Sequence, residues 1–343
     1  MRFGFWMPVF GGWLRNVEEE GMPATFVYQR QLAQQADRDG WDVTLIAELN
    51  LNDIKGPEAD CLEAWTTAAA LAPLTERLEL MAAVRPNFRL PALVAKEAAT
   101  IDRISNGRFT LNVVSAWWQA ESDQYGGAWV QHDERYARTE EFLAVLKGMW
   151  TKDKFSLEGR YYTIKDARLA PKPVQRPWPT LYAGGESPAA KDLIARECDA
   201  YLMHGDPPDA LATKIEDMRA RRAKHPELPP LKFGVAGYAI VRKSDAEVKK
   251  EIARITDVRA SARGYASYQE FIKGSQLETT VSLEDYSVSN RGLRTGLIGT
   301  PEQVAEQVRA LERIGIDLLL LQSSPQREEM QRFSEYVFPL VRV

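Results

Sequence analysis

The chain has 343 residues, of which 45% are hydrophobic and 27% charged, and a net charge of −4. That length holds either two average domains or one large α/β barrel, and the composition is ordinary for a soluble globular protein. The mild negative charge argues against nucleic acid as the main partner, and His132, His204 and His225 are too scattered for a histidine-rich metal site.

The first residues, MRFGFWMPVFGGW, are apolar but too short to span a membrane, and they lack a basic leader followed by a cleavage site. They read as a first strand, Arg2 to Val9, ended by Gly11–Gly12. A helix follows from Thr25 to Arg38, with Phe26, Leu32, Ala33 and Ala36 on one side, and then a strand from Asp42 to Ala47. Cys61 to Leu71 reads as a helix with Asp60 as its N-cap. Leu78 to Val84 is a third strand ended by Arg85–Pro86, Ala92 to Ile104 a helix, and Phe109 to Val114 a fourth strand after the Asn106–Gly107 turn. His132 to Trp150 is the next helix. Four strand–helix alternations imply a parallel sheet.

Phe155 to Leu169 reads as a small hairpin with its turn at Glu158–Gly159. The run PKPVQRPWP, Pro171 to Pro179, has the composition of a linker between two domains. The alternation resumes beyond it and weakens that reading. Strands are expected at Thr180 to Ala183, Ala200 to Met203, Leu231 to Val241 and Leu318 to Gln322. Helices are expected at Ser187 to Arg196, Ala210 to Lys224, Asp245 to Ile255 and Pro301 to Ile314. Eight parallel strands at this length point to a closed (β/α)8 TIM barrel, residues 1–343 forming one domain with insertions. The largest insertion, Thr256 to Thr295, comes before the eighth barrel unit. It lacks periodicity and carries Arg259, Arg263, Arg291, Arg294 and several aromatics, the mark of a lid.

Chemistry is expected at the C-terminal ends of the strands. The stretch Phe109 to Tyr136 has that character: a buried strand ends at Ser115 and feeds a polar, aromatic loop before the helix at His132. At Tyr182-Ala183-Gly184-Gly185-Glu186-Ser187 a strand runs through paired glycines into a helix start. That is either a phosphate cradle or simply a tight turn. Glu48 is either a polar pocket residue or a solvated loop charge. Trp6, Trp13, Trp117 and Trp118 flank strand ends, with Trp6 and one of the 117–118 pair favoured as pocket walls. The acidic run Glu18 to Glu20 reads as surface. Cys61 and Cys198 form no CxxC pair, so neither zinc nor dithiol redox chemistry is expected, and the cytoplasm is the expected compartment.

Taken together, ALAPLTERLELMAAVRPN (Ala70 to Asn87), ATIDRISNGRFTLNVVS (Ala99 to Ser115), HDERY (His132 to Tyr136), PKPVQRPWPTLYAGGESPAA (Pro171 to Ala190) and GLIGTPEQVAEQV (Gly296 to Val308) carry a resemblance. The chain resembles, over essentially its whole length, the bacterial luciferase-like monooxygenases. The nearest group is the two-component enzymes that cleave carbon–sulfur bonds, the dimethyl sulfone and alkanesulfonate monooxygenases. The resemblance implies reduced FMN supplied by a separate NAD(P)H:flavin reductase, O2 as co-substrate, and a homodimer or homotetramer. It assigns Asn112 and Ser115 to the flavin ring and ribityl side, and His132 and Tyr136 to the flavin chain and phosphate. Ser187, with the backbone of Gly185 and Glu186, matches the phosphate turn. Cys61 matches a cysteine near the flavin's reactive edge, and Arg291 approximates a lid arginine facing the substrate.

The departures bear on substrate. Where alkanesulfonate enzymes carry an arginine and a histidine, this chain has Ala236 and Tyr238, and a tyrosine at the final strand end is replaced by Ser324 or a near neighbour. A sulfonate calls for a fixed cation, ideally arginine. Its loss favours a small neutral sulfone, with Tyr238 donating to the activated oxygen or a sulfonyl oxygen, or else serving as a satisfied barrel tyrosine. Three activities stay open at this point: a sulfone monooxygenase, an alkanesulfonate or sulfo-sugar monooxygenase, and a deazaflavin-dependent oxidoreductase on the same scaffold. The HDERY helix and short phosphate turn favour FMN over deazaflavin.

Overall fold

In the computed structural model, residues 1–115, 118–127, 132–257, 282 and 287–342 are described. The barrel strands are β1 (Arg2–Trp6), β2 (Val43–Ile46), β3 (Glu79–Val84), β4 (Phe109–Val113), β7 (Leu181–Gly184), β8 (Ala200–Met203), β9 (Lys232–Tyr238) and β12 (Leu318–Gln322). They follow one another in chain order, every pairing is parallel, and β12 closes onto β1. Between β4 and β7 lies the antiparallel hairpin β5 (Phe155–Glu158) and β6 (Thr163–Ala167). The (β/α)8 expectation holds.

The register shows which side chains face inward, because residues paired across parallel strands share a face. Val43, Leu45, Met81, Tyr182, Ala200, Leu318 and Leu320 meet in one cluster inside the barrel, with Trp6 and Leu202 against it. Gly4 sits in the same row, paired with Val43 and Leu320. A Cβ there would lie 2.6 Å from Val43 Cγ1 and 2.8 Å from Leu320 Cδ2, so only glycine leaves those branched side chains their space. At the N-terminal end, Arg2 donates to Glu79 (3.0 Å) and to the Tyr182 hydroxyl (3.3 Å), and Thr110 Oγ1 donates to Glu79 (3.2 Å). The alternate residues, such as Phe3, Phe5, Leu319 and Leu321, point outward into the larger core beneath the helices.

Several sequence expectations are corrected. The second helix starts at Ala64, and Glu63, not Asp60, caps it, its carboxylate accepting from Trp65 N (2.8 Å) and Thr66 N (2.7 Å). The proline run is not a linker, since barrel strands precede and follow it. Val174 N donates to the buried Asp102 (2.6 Å), and Gln175 Nε2 bonds both Asp102 (2.6 Å) and Phe109 O (2.6 Å), strapping the run to the barrel wall. The expected strand Leu231 to Val241 breaks after Tyr238. Ala239 N bonds Gln322 O (3.1 Å), and β10 (Ile240–Val241) leaves the barrel to pair with β11 (Ile298–Gly299). Glu20 is buried, not surface: its Oε1 accepts from Trp13 N (2.9 Å), Leu14 N (2.9 Å) and Lys55 Nζ (2.7 Å). The helices Gln119–Tyr125 and Gln326–Tyr336 had no sequence counterpart. Of the 256–295 insertion, the described part includes Val288, which bridges Leu14, and a 3-10 turn from Ser289 to Thr295. Among the described residues no helix is long and apolar enough to cross a membrane.

Candidate active site at the C-terminal mouth of the barrel

The inward rows end in polar residues, and those polar groups are left without partners. Trp6 Nε1, Asn112 Oδ1, Tyr238 Oη, Gln322 Nε2 and Oε1, and Ser324 Oγ are all buried with no hydrogen bond. Each such group costs about 1–3 kcal/mol when nothing satisfies it. All lie at or just past the C-terminal ends of β1, β4, β9 and β12. Groups of this kind on neighbouring strand ends fit a site shaped for a polar ligand. A flavin ring carries acceptors and donors along its rim, and the Asn112 carboxamide can offer either kind of group, so this mouth fits one.

The neighbouring turn has the backbone form that an anion cradle needs. The helix Pro188–Glu197 begins directly after β7, with Ser187 as N-cap accepting from Ala190 N (3.3 Å) and Pro188 in the first turn. A helix start of this kind offers free N–H groups and partial positive charge to a phosphate. A Cβ on Gly185 would lie 2.6 Å from Ala190 Cβ and 3.5 Å from the Tyr136 hydroxyl. The position therefore needs glycine, and Tyr136 is brought to the turn from the helix His132–Thr151. Tyr201 donates to Gly185 O (2.9 Å) and holds the turn from below. His132 opens that helix; its side chain, like the whole of Trp117, lies outside the described residues. Ser115 is half-buried just beyond β4.

Glu186 turns away from the cradle. Its carboxylate pairs with Lys214 (3.0 Å) and with Arg291, while Asp206 pairs with Lys214 (2.9 Å) and lies 3.4 Å from Arg291. Burial opposes its charge, but His204, Arg291 and Lys214 overcome that and hold it down at about 2. Arg291 is thus a buried, paired residue at positive φ (55°), not an open cation, although its Nε and Nη1 have no partner.

Burial, then the Arg291 charge, push His204 from 6.5 down to about 4. The unfolded chain takes a proton below pH 6.5 that the folded one refuses until about pH 4. The contribution of this group is therefore full above pH 6.5 and is lost as the pH drops through that window, by on the order of 3 kcal/mol. Glu186 adds its loss only below its ordinary value of 4.5, so the two windows separate. Urea unfolding at pH 7, 6 and 5 should show this slope in the wild type and not in His204→Gln; parallel curves would exclude it.

On the other side of the mouth, carboxylates and arginines lock the loops together. Arg85 Nη2 donates to Glu121 Oε1 (2.8 Å) and Nη1 bonds the other oxygen, with both side chains fully buried. Glu48 accepts from Arg85 N (2.7 Å) and pairs with Arg89, whose Nη2 reaches Glu63 (2.6 Å). The solvated-charge reading of Glu48 fails: burial raises its pKa against the pull of Arg89 and Arg85, and both its oxygens are occupied. Cys61 is half-buried with its sulfur 3.7 Å from Asn50 O, and burial followed by Glu121 and Asp60 raises its pKa, so it is held as a neutral thiol. The satisfied-hydroxyl reading of Tyr238 also fails, since its Oη has no partner, and burial raises its pKa so that the phenol stays protonated. Trp13 is core: its Nε1 bonds Gln326 (2.8 Å), and its ring meets Trp6 edge-on at 6.4 Å.

Sequence reasoning missed Gln322, Lys214, Asp206, His204 and the Arg85–Glu121 pair. For Gln322 a signal was present: in LLLLQ the inward positions are Leu318, Leu320 and then a polar residue.

Comparisons with known proteins agree with this architecture. Residues 1–318 match the family model described as luciferase-like monooxygenase. An FMNH(2)-dependent dimethylsulfone monooxygenase of Pseudomonas putida is 36% identical over 100% of this chain and 95% of its own length. One of the same description from Pseudomonas fluorescens (strain Pf0-1) is 35% identical, over 100% and 94%. The solved structure of a long-chain alkane monooxygenase superposes with a TM-score of 0.85 at 18% identity, covering 100% of this chain and 91% of that one, which speaks for the fold. With a family model spanning nearly the whole sequence and relatives above one-third identity along its full length, the chain belongs to the luciferase-like monooxygenase family.

Proposed function

We propose that this chain is the oxygenase of a two-component system that oxidises a small neutral sulfone, dimethyl sulfone foremost, with cleavage of a carbon–sulfur bond. The balance is dimethyl sulfone, O2 and FMNH2 giving methanesulfinic acid, formaldehyde, water and FMN. O2 is the oxidant, and FMNH2, delivered by a separate NAD(P)H:flavin reductase, is the reductant. The observation that carries the substrate reading is the mouth itself, where the unpartnered groups of Trp6, Asn112, Tyr238, Gln322 and Ser324 are all uncharged. The full-length relatives described as dimethylsulfone monooxygenases support it.

Reduced FMN, when bound, supplies the activation of oxygen. The residues assigned to hold it are Asn112 and Ser115 toward the ring, and Tyr136, His132, Ser187 and the Gly185–Glu186 backbone toward the chain and phosphate. Trp6 and Trp117 are assigned to the pocket wall, and Tyr238 as a hydrogen-bond donor toward the reacting groups. Cys61 contributes a neutral thiol, Glu48 holds Arg85 and Arg89, and Arg291 braces the turn through Glu186. We assign residues 256–295 as a lid on a single domain 1–343, acting in the cytoplasm as a homodimer or homotetramer. Two free cysteines support that compartment.

One observation favours an anionic sulfonate instead, the unpartnered Nη1 of Arg291. Glu186 and Asp206 offset that charge. The test supplies reduced FMN from any reductase with oxygen, and assays sulfite, sulfinate and formaldehyde from dimethyl sulfone, methanesulfonate and a longer sulfonate. Sulfinate and formaldehyde from the sulfone are expected. Turnover of the sulfonates alone would overturn the sulfone reading, and no product from any of the three would overturn the organosulfur reading.

A further inference from the structure

We infer that Gln322 is the specificity-determining residue for the sulfonyl group, gripping it together with Trp6 and Tyr238. The inference deepens the sulfone reading and rests on it. Tyr238 and Gln322 are register partners on β9 and β12, so they face the same way. β12 pairs with β1 through Phe5 and Leu321, and one step further along that register brings Trp6 beside Gln322. Three adjacent strands, spaced about 4.8 Å apart, thus present a phenol O–H, a carboxamide and an indole N–H in one strip. Gln322 is 1% exposed, and neither end of its carboxamide has a partner. The Tyr238 hydroxyl and the Trp6 nitrogen beside it are equally unpartnered.

The chemistry of this strip selects its ligand. A sulfone presents two strongly polar oxygens, no donor, no net charge, and apolar substituents. Oxygens of that kind take donors, so the amide N–H2 of Gln322 faces them. The amide oxygen is left to accept from Trp6 or Tyr238. Leu320, one inward step below Gln322 on β12, and Leu45, the register partner of Trp6 on β2, offer apolar surface that suits the methyl groups. An anionic sulfonate at the same place would meet neutral donors only, because Arg254, the cation beside Tyr238, is already taken by Glu251 (2.6 Å) and Ser324 O (2.8 Å), which leaves the anion's desolvation uncompensated. Discrimination between the two substrates then follows from a missing charge as much as from a hydrogen bond made.

The experiment begins with the wild-type enzyme on dimethyl sulfone, with reduced FMN and oxygen supplied. With turnover established, Gln322→Met, which keeps the volume and removes the amide, is expected to raise KM for the sulfone roughly tenfold. The same variant should leave kcat within about threefold and the affinity for reduced FMN unchanged. Gln322→Glu keeps the shape and turns a carboxylate on the sulfonyl oxygens, and should raise KM at least as much. Thermal midpoints and FMN affinity show whether each variant is folded. An unchanged KM in both variants overturns the inference and leaves the oxygenase reading standing. So does a KM rise accompanied by an equal loss of FMN affinity, which marks a structural role. A wild-type enzyme that neither turns over dimethyl sulfone nor gains thermal stability from it overturns the sulfone reading, and the inference with it.

Discussion

Glu121→Leu is expected to destabilise the protein by about 3–5 kcal/mol, the cost of leaving a buried guanidinium without its carboxylate. Arg85 and Glu121 are both fully buried and joined through both Nη atoms, so no water can take over when Glu121 goes, and the other carboxylate beside Arg85, Glu48, stands 3.7 Å from Nε and is already shared with Arg89. Urea unfolding measures the loss. The double variant Arg85→Met/Glu121→Leu should recover most of it, because replacing both charges with apolar side chains removes the uncompensated ion. A single variant as stable as wild type would show that the pair is solvated in solution. The effect reaches the site as well. Glu121 lies on the short helix Gln119–Tyr125, which follows the loop leaving β4, and its Oε1 also accepts from Asn50 N.

Gly185→Val should abolish measurable binding of reduced FMN, with a loss of affinity of at least about 100-fold, the scale of a charge-assisted hydrogen bond or more. The added Cβ would stand 2.6 Å from Ala190 Cβ, forcing the start of the helix Pro188–Glu197 away from β7 and disturbing its free N–H groups. Ser187→Ala removes only the cap and one polar group, and His132→Ala only one contact. Each should weaken binding by roughly tenfold. Anaerobic titration of reduced flavin into the three variants gives the order. Gly185→Val binding as tightly as wild type would place the phosphate elsewhere.

The barrel was legible because each of its strands is a short apolar run, and because helix starts are marked by caps such as Ser187 and Thr300. The turn proposed for the phosphate was legible as a strand running through a pair of glycines into a helix start. What was not legible depends on partners far apart in the chain. Glu48 looked undecided because the arginines that occupy it, Arg85 and Arg89, come about 40 residues later on another strand's exit loop. Glu20 sits in an acidic run and reads as surface, yet Lys55 and the backbone of Trp13 and Leu14 fold around it. The helix Gln119–Tyr125 spans only seven residues, too few to show a period. Tyr238 and Gln322 lie 84 residues apart in sequence, and only the register of two strands makes them neighbours.

The glycine-spaced interior at Gly4 and the Arg2–Glu79–Tyr182 closure beneath it make the barrel a blind-ended vessel. Among the described residues side chains fill the barrel beneath the mouth, which leaves the mouth as the way in and the way out. Under the proposed function, oxidised flavin, sulfinate and aldehyde would share one doorway with the incoming reduced flavin and sulfone. Traffic at that doorway makes the order of arrival and departure a property of the architecture. Product inhibition patterns, more than the chemical step, are where that architecture becomes visible in kinetics.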